Sequence, residues 1–150
     1  MGEDRKQKHW ELTNKINQCA INVQKSIGPG YDKSVYKNAM AVEMTSCGLK
    51  HEEEAMFKVF HRQVHVGLTQ ADSVVEDAVV LKYRCREKLS DENFAKEIYH
   101  INSSEFEIGL LLNFGGQKIQ IKRIYNNVIG NGANHKAIKA STQNSPRRRK

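Results

Sequence analysis

The sequence has no apolar run near the roughly 18 residues that a membrane-spanning helix needs. It has no paired cysteines. Cys19, Cys47 and Cys85 are odd in number, far apart in the chain and form no Cys-x-x-Cys motif. That argues against a zinc site or a disulfide framework and for a reduced, intracellular setting in cytoplasm or nucleus, with packaging inside a virion as a variant. Met1–Lys8 is charged and no apolar stretch follows it, so no secretory signal is expected. There are no internal repeats. Acidic residues stop at Glu107. Nine of the 24 basic residues and none of the 17 acidic ones lie beyond that point, which leaves residues 1–107 at −2 and residues 108–150 at +9. A near-neutral body with a basic end suggests a polyanionic partner.

A chain of 150 residues is expected to form one domain with a real core. Residues 1–9 are polar and read as a flexible N-terminus. Leu12, Ile16, Cys19, Ala20, Val23 and Ile27 recur at spacings of three and four, which predicts a helix over 10–27 stopped by Gly28-Pro29-Gly30. A second helix is predicted over 32–47, with Val35, Ala39, Val42 and Ser46 on one side and Gly48 as its C-terminal cap. Lys33 falls in the first turn, where the helix dipole disfavours a cation. Residues 55–68 read as a hairpin turning near Arg62-Gln63. A third helix is predicted over 91–102, capped by Ser90 with Asn93 and buried through Phe94, Ile98 and Ile101. Ile108–Phe114 is a continuous apolar run, as expected of a strand covered on both faces. Ile119, Ile121 and Ile124 mark a last strand, and from Asn126 the composition turns polar and basic and reads as a flexible tail. The predicted order is α-α-β-β-β-β-α-β-β.

The chain is organised around residues 72–84. Val74-Val75 and Val79-Val80-Leu81 flank Glu76-Asp77, which predicts two strands, near 69–76 and 78–85, joined by a tight acidic turn. Asp72 leads into the first strand. Lys82 and Arg84 share one face of the second, because side chains alternate along a strand. An acid from one strand and two polar positions from the next can converge on one point.

The stretch Leu12–Tyr125 resembles the GxxExxY proteins, a branch of the PD-(D/E)XK nuclease superfamily. The resemblance rests on Ile27-Gly28-Pro29-Gly30, Ser34-Val35-Tyr36, Gly48-Leu49-Lys50, Val75-Glu76-Asp77, Glu87-Lys88-Leu89-Ser90 and Gly109-Leu110-Leu111-Leu112-Asn113-Phe114-Gly115. It implies an α/β (α+β) fold with a mixed sheet of four to six strands flanked by helices, and a site at a fork between two central strands. It also implies a rewritten site. Lys33 stands where the family motif has glutamate, and Asp72 matches the strand aspartate. Lys82 replaces the metal-binding glutamate, Arg84 the lysine and Lys96 the helical glutamine, with His100 four residues on.

A protonated lysine has no lone pair to offer a metal and repels it. The fork as read from sequence therefore expects an anion: a phosphate held by Lys33, Lys82, Arg84 and Lys96, with Asp72 pairing Lys33 or Lys82. No cofactor or metal is expected. Lys118, Lys122, Arg123, Arg147, Arg148 and Arg149 are the further candidates for phosphate contact, and Tyr31, Tyr36, Tyr83 and Tyr99 for base stacking. Relocated acids that would restore catalysis are sought at Glu76, Asp77 and Glu87, whose positions point away from the fork. His61-x-x-x-His65 has metal spacing only on a helix, and this stretch reads as strand.

The expected function is an inactive nuclease fold that binds nucleic acid, DNA ahead of RNA, without sequence preference. The alternative is a structural or assembly module, for instance in a viral particle, with a protein partner or further copies of itself. An active metal-dependent nuclease ranks third. Membrane association is not expected.

Overall fold

The computed structural model describes residues 9–128. Three helices, α1 (Trp10–Ile27), α2 (Lys33–Ser46) and α3 (Asp91–Asn102), accompany seven strands. The strands are β1 (His51–Glu53), β2 (Met56–His61), β3 (Val64–Gln70), β4 (Ser73–Val75), β5 (Val79–Arg84), β6 (Ile108–Asn113) and β7 (Gln120–Tyr125). Five of them form a mixed sheet in the order β1-β4-β5-β6-β7, parallel only between β5 and β6, and β2-β3 form a separate two-stranded sheet. Among the described residues no helix is long and apolar enough to cross a membrane.

The stretch from β1 to β4 is one long hairpin with a corner. Its outer half pairs β2 with β3 and turns at Arg62-Gln63, both at positive φ. Its inner half pairs β1 with β4 inside the main sheet. The corner lies at Glu54-Ala55 on one arm and Ala71-Asp72 on the other. There the Ala71 amide still donates to Ala55 O, whereas the Asp72 amide donates to Leu81 O of β5. This corner divides what the sequence reads as one strand over 69–76. It also adds β1, which His51-Glu52-Glu53 does not announce because a three-residue edge strand carries no apolar alternation.

Two cores lie on the two faces of the sheet. Ile16, Cys19, Ala20 and Val23 of α1 and Tyr36, Met40 and Met44 of α2 pack against Val79, Leu81, Tyr83, Ile108, Leu110 and Leu112. On the other face Ile101, Phe94 and Ile98 of α3 meet Val80, Leu111 and Ile124, together with Phe57 of β2. The alternation of β5 thus sends odd positions to α1 and α2 and even positions toward α3. All six residues of β6 are buried, which is why that strand is apolar throughout.

The inner face of α2 differs from the expectation. Tyr36, Met40 and Met44 are buried, while Val35 and Val42 are exposed. Both sets fit a helical period, and the larger side chains take the core because they remove more apolar area from water. At the hairpin the expected alternation also faces outward: Met56, Val64 and Val66 are exposed. The fold extends past Tyr125. Asn126 is fully buried, and its amide donates to the carbonyls of Ile101 (2.6 Å), Ser104 (3.2 Å) and Phe106 (2.8 Å).

The candidate site at the strand fork

The site begins where β4 ends. On the β4 side the pairing stops at Ser73 opposite Leu81, so no β4 residue faces Tyr83 and its amide would lose a partner there. Oδ2 of Asp72 accepts that N–H at 2.7 Å and stands in for the missing strand. Oδ1 of the same carboxylate meets Nζ of Lys33 at 2.7 Å. Lys33 is the first residue of α2, after Asp32, whose side chain makes no capping bond. The unfavourable placement of a cation there is offset by the Asp72 carboxylate.

Lys82 projects toward α3 and donates to Gln70 O at 3.3 Å. Its pKa is lowered chiefly by burial, while the carboxylates of Glu97 and Asp72 pull it back up and Arg84 and Lys33 push it further down. Arg84 donates one bond to Tyr83 O at 2.9 Å and forms an ion pair with Oε2 of Glu97. Glu97 is 1% exposed. Its other oxygen, Oε1, has no hydrogen-bond partner and lies 3.6 Å from Nδ1 of His100. The pKa of His100 is lowered, first by burial, with Glu97 opposing the shift and Lys82 and Lys96 adding to it.

Three of the four cations assigned to the fork are therefore there: Lys33, Lys82 and Arg84. Lys96 is not. It is exposed on α3, and the next residue, Glu97, faces the sheet instead. The correction follows from the period of the helix. Phe94, Ile98 and Ile101 define the inner stripe, and position 97 lies on it at the three- and four-residue spacings. A carboxylate embedded in that stripe is the signal that sequence reasoning passed over. Glu76 binds the Lys50 amide at 2.8 Å and Asp77 sits in the β4–β5 turn, so both are away from the fork as expected.

The remaining candidates scatter. Arg123 faces α1, where it donates to Thr13 Oγ1 (3.1 Å) and Asn14 Oδ1 (2.8 Å) and stacks on Trp10 at 4.8 Å. Lys122 lies over the Phe94 ring at 5.5 Å, and Lys118 is exposed in the turn before β7. Tyr36 and Tyr83 are core residues, whereas Tyr31 and Tyr99 are exposed. His61 and His65 lie on the strands of the β2–β3 hairpin, as read. Arg147, Arg148 and Arg149 lie outside the described residues.

The donor set does not fit Mg²⁺, which takes hard oxygen ligands at about 2.0–2.1 Å. Both oxygens of Asp72 and one of Glu97 are already engaged. Three basic side chains surround them. Among the described residues no three His, Cys, Asp or Glu side chains gather as a metal site.

The family model described as PD-(D/E)XK nuclease superfamily matches residues 10–124. No curated protein and no solved structure matches the chain.

Proposed function

The chain belongs to the PD-(D/E)XK nuclease superfamily, and on that premise we propose that it is a catalytically inactive member that binds nucleic acid through phosphate contacts. We place it in the GxxExxY branch on the Gly28-Pro29-Gly30 and Leu110–Gly115 motifs. The observation that carries the reading is the charge of the fork. Among the described residues Lys33, Lys82 and Arg84 face two carboxylates, Asp72 and Glu97, and each carboxylate contacts one of these cations directly. Among the described residues Lys82 makes no direct ion pair and donates instead to Gln70 O, and it occupies the position where the resemblance expects a metal-binding glutamate.

Two unit charges about 4 Å apart at an effective dielectric of about 20 interact by roughly 4 kcal/mol. A phosphate oxygen near Lys82 would gain such an attraction, whereas a divalent cation would meet its reverse. The basic segment beyond residue 107 supplies sequence-independent attraction that weakens with salt.

The test uses the full chain and a short duplex DNA, with binding read by fluorescence anisotropy at several salt concentrations. Lys82→Glu is expected to weaken binding about tenfold, and Arg147→Gln with Arg148→Gln and Arg149→Gln to flatten the salt dependence. Incubation with Mg²⁺ or Mn²⁺ is expected to leave DNA and RNA uncut. Metal-dependent cleavage abolished by Asp72→Ala overturns the inactive reading.

One observation favours a second use. Val64, Val66 and Leu68 are exposed in alternate positions along β3, with Met56 also exposed on its partner strand. An apolar row of that kind suits contact with another protein chain, in keeping with an assembly module. Defined oligomers formed without nucleic acid, and lost on Val66→Lys, would favour that use.

A further inference from the structure

Cys19 and Cys47 are 28 positions apart in sequence, yet their Sγ atoms lie 3.7 Å apart. The fold brings them together from two elements. Cys19 sits on the buried face of α1, and Cys47 follows the last residue of α2, where its amide donates to the carbonyls of Glu43 and Met44. A cross-helix bond from Asn22 Nδ2 to Glu43 Oε2 (2.9 Å) holds the same ends of the two helices together. Cys85 is half-buried after β5.

We propose that Cys19 and Cys47 form a reversible thiol–disulfide site whose co-substrate is a small-molecule disulfide of the glutathione type. The two thiols differ in access, and that difference assigns their roles. Cys47 is exposed and Cys19 is buried. The Cys47 thiolate attacks one sulfur of the small disulfide, expels the other as a thiolate and becomes a mixed disulfide. Cys19, having lost its proton to solvent, then attacks Sγ of Cys47 and expels the second small thiolate. Two protein thiols are oxidised, one small disulfide is reduced to two thiols, and no other oxidant is needed. Burial, with the Cys47 thiol second, pushes the Cys19 thiol up to about 12, so the second step is the slow one near neutral pH. Closure links α1 to the C-terminal end of α2, the helix whose other end carries Lys33.

The test is oxidation of the full, pre-reduced chain with oxidised glutathione, followed by intact mass and a non-reducing peptide map. The expected result is loss of two hydrogens and a peptide pair joined through Cys19 and Cys47. The rate of closure is expected to rise with pH, and Cys85→Ser is expected to close as wild type does. Cys19→Ser is expected to stop at glutathionylated Cys47, and Cys47→Ser to slow thiol loss by more than about tenfold. A wild-type chain that stays glutathionylated at Cys47, or links only through Cys85 or between molecules, overturns the proposal. The Cys85→Ser variant keeps both paired thiols, so its result does not depend on any folding defect in the Cys19 variant.

Discussion

Two ion pairs flank β5, reached from helices on opposite faces of the sheet, and they stand in different surroundings. Lys33 is 46% exposed and its partner Asp72 13%, while Arg84 is 17% exposed and Glu97 only 1%. An exposed pair gains little because water screens it and the long side chain loses freedom. A buried pair is costly to assemble, and costlier to leave half-assembled, because the surviving charge stays out of water. The same chemistry therefore has different consequences on the two sides. The Lys33 side can open to a ligand at little expense, and the Arg84 side acts as structure.

The strongest way to break this comparison is Glu97→Ala. It strands Arg84 beneath α3, and the expected loss of stability is about 3–5 kcal/mol by urea denaturation. A loss below about 1 kcal/mol would place the Arg84 pair in the same class as the Lys33 pair. The double change Arg84→Met with Glu97→Leu sharpens the point, since it removes both charges together and is expected to recover most of that loss. Asp72→Ala comes next, at about 1–3 kcal/mol. Its larger part comes from the Tyr83 amide left without an acceptor rather than from Lys33. Lys33→Ala is expected to cost at most about 1 kcal/mol, and less at high salt.

The smallest effect is the dependence on pH through His100. Its pKa in the folded chain lies below the ordinary value of 6.5. As pH falls through 6.5 the unfolded chain takes up the proton first, so stability declines toward acid until the folded state is protonated as well. Urea midpoints measured from about pH 8 to about pH 5 are expected to fall. His100→Gln is expected to flatten that part of the slope, and an unchanged slope would show that His100 does not contribute to it.

The sequence made most of the scaffold legible because burial leaves a period. The stripe from Leu12 to Ile27 marks α1, and the β4–β5 turn is announced by Glu76-Asp77, both at positive φ in the structure. Ser90 and Asn93 form the predicted cap, each side chain bonding the other's backbone amide. What escaped was information held in space rather than along the chain. Glu97 occupies an inner position that periodicity alone assigns to an apolar residue. Asn126 begins a polar stretch in sequence yet closes three backbone carbonyls inside the fold. The faces of α2 could not be ranked, because Val35-Ala39-Val42 and Tyr36-Met40-Met44 fit the period equally well. The nearness of Cys19 to Cys47 depends on how α1 packs beside α2, which no spacing in the chain encodes.

Asp72 carries a further consequence, one that concerns change over generations. Its carboxylate completes the hydrogen bonding of β5 at the point where β4 gives out. Any substitution at position 72 is opposed by the cost of an unfinished sheet. An acid at such a fork is therefore by itself a poor marker of activity. Its retention is what selection on foldedness alone would leave behind.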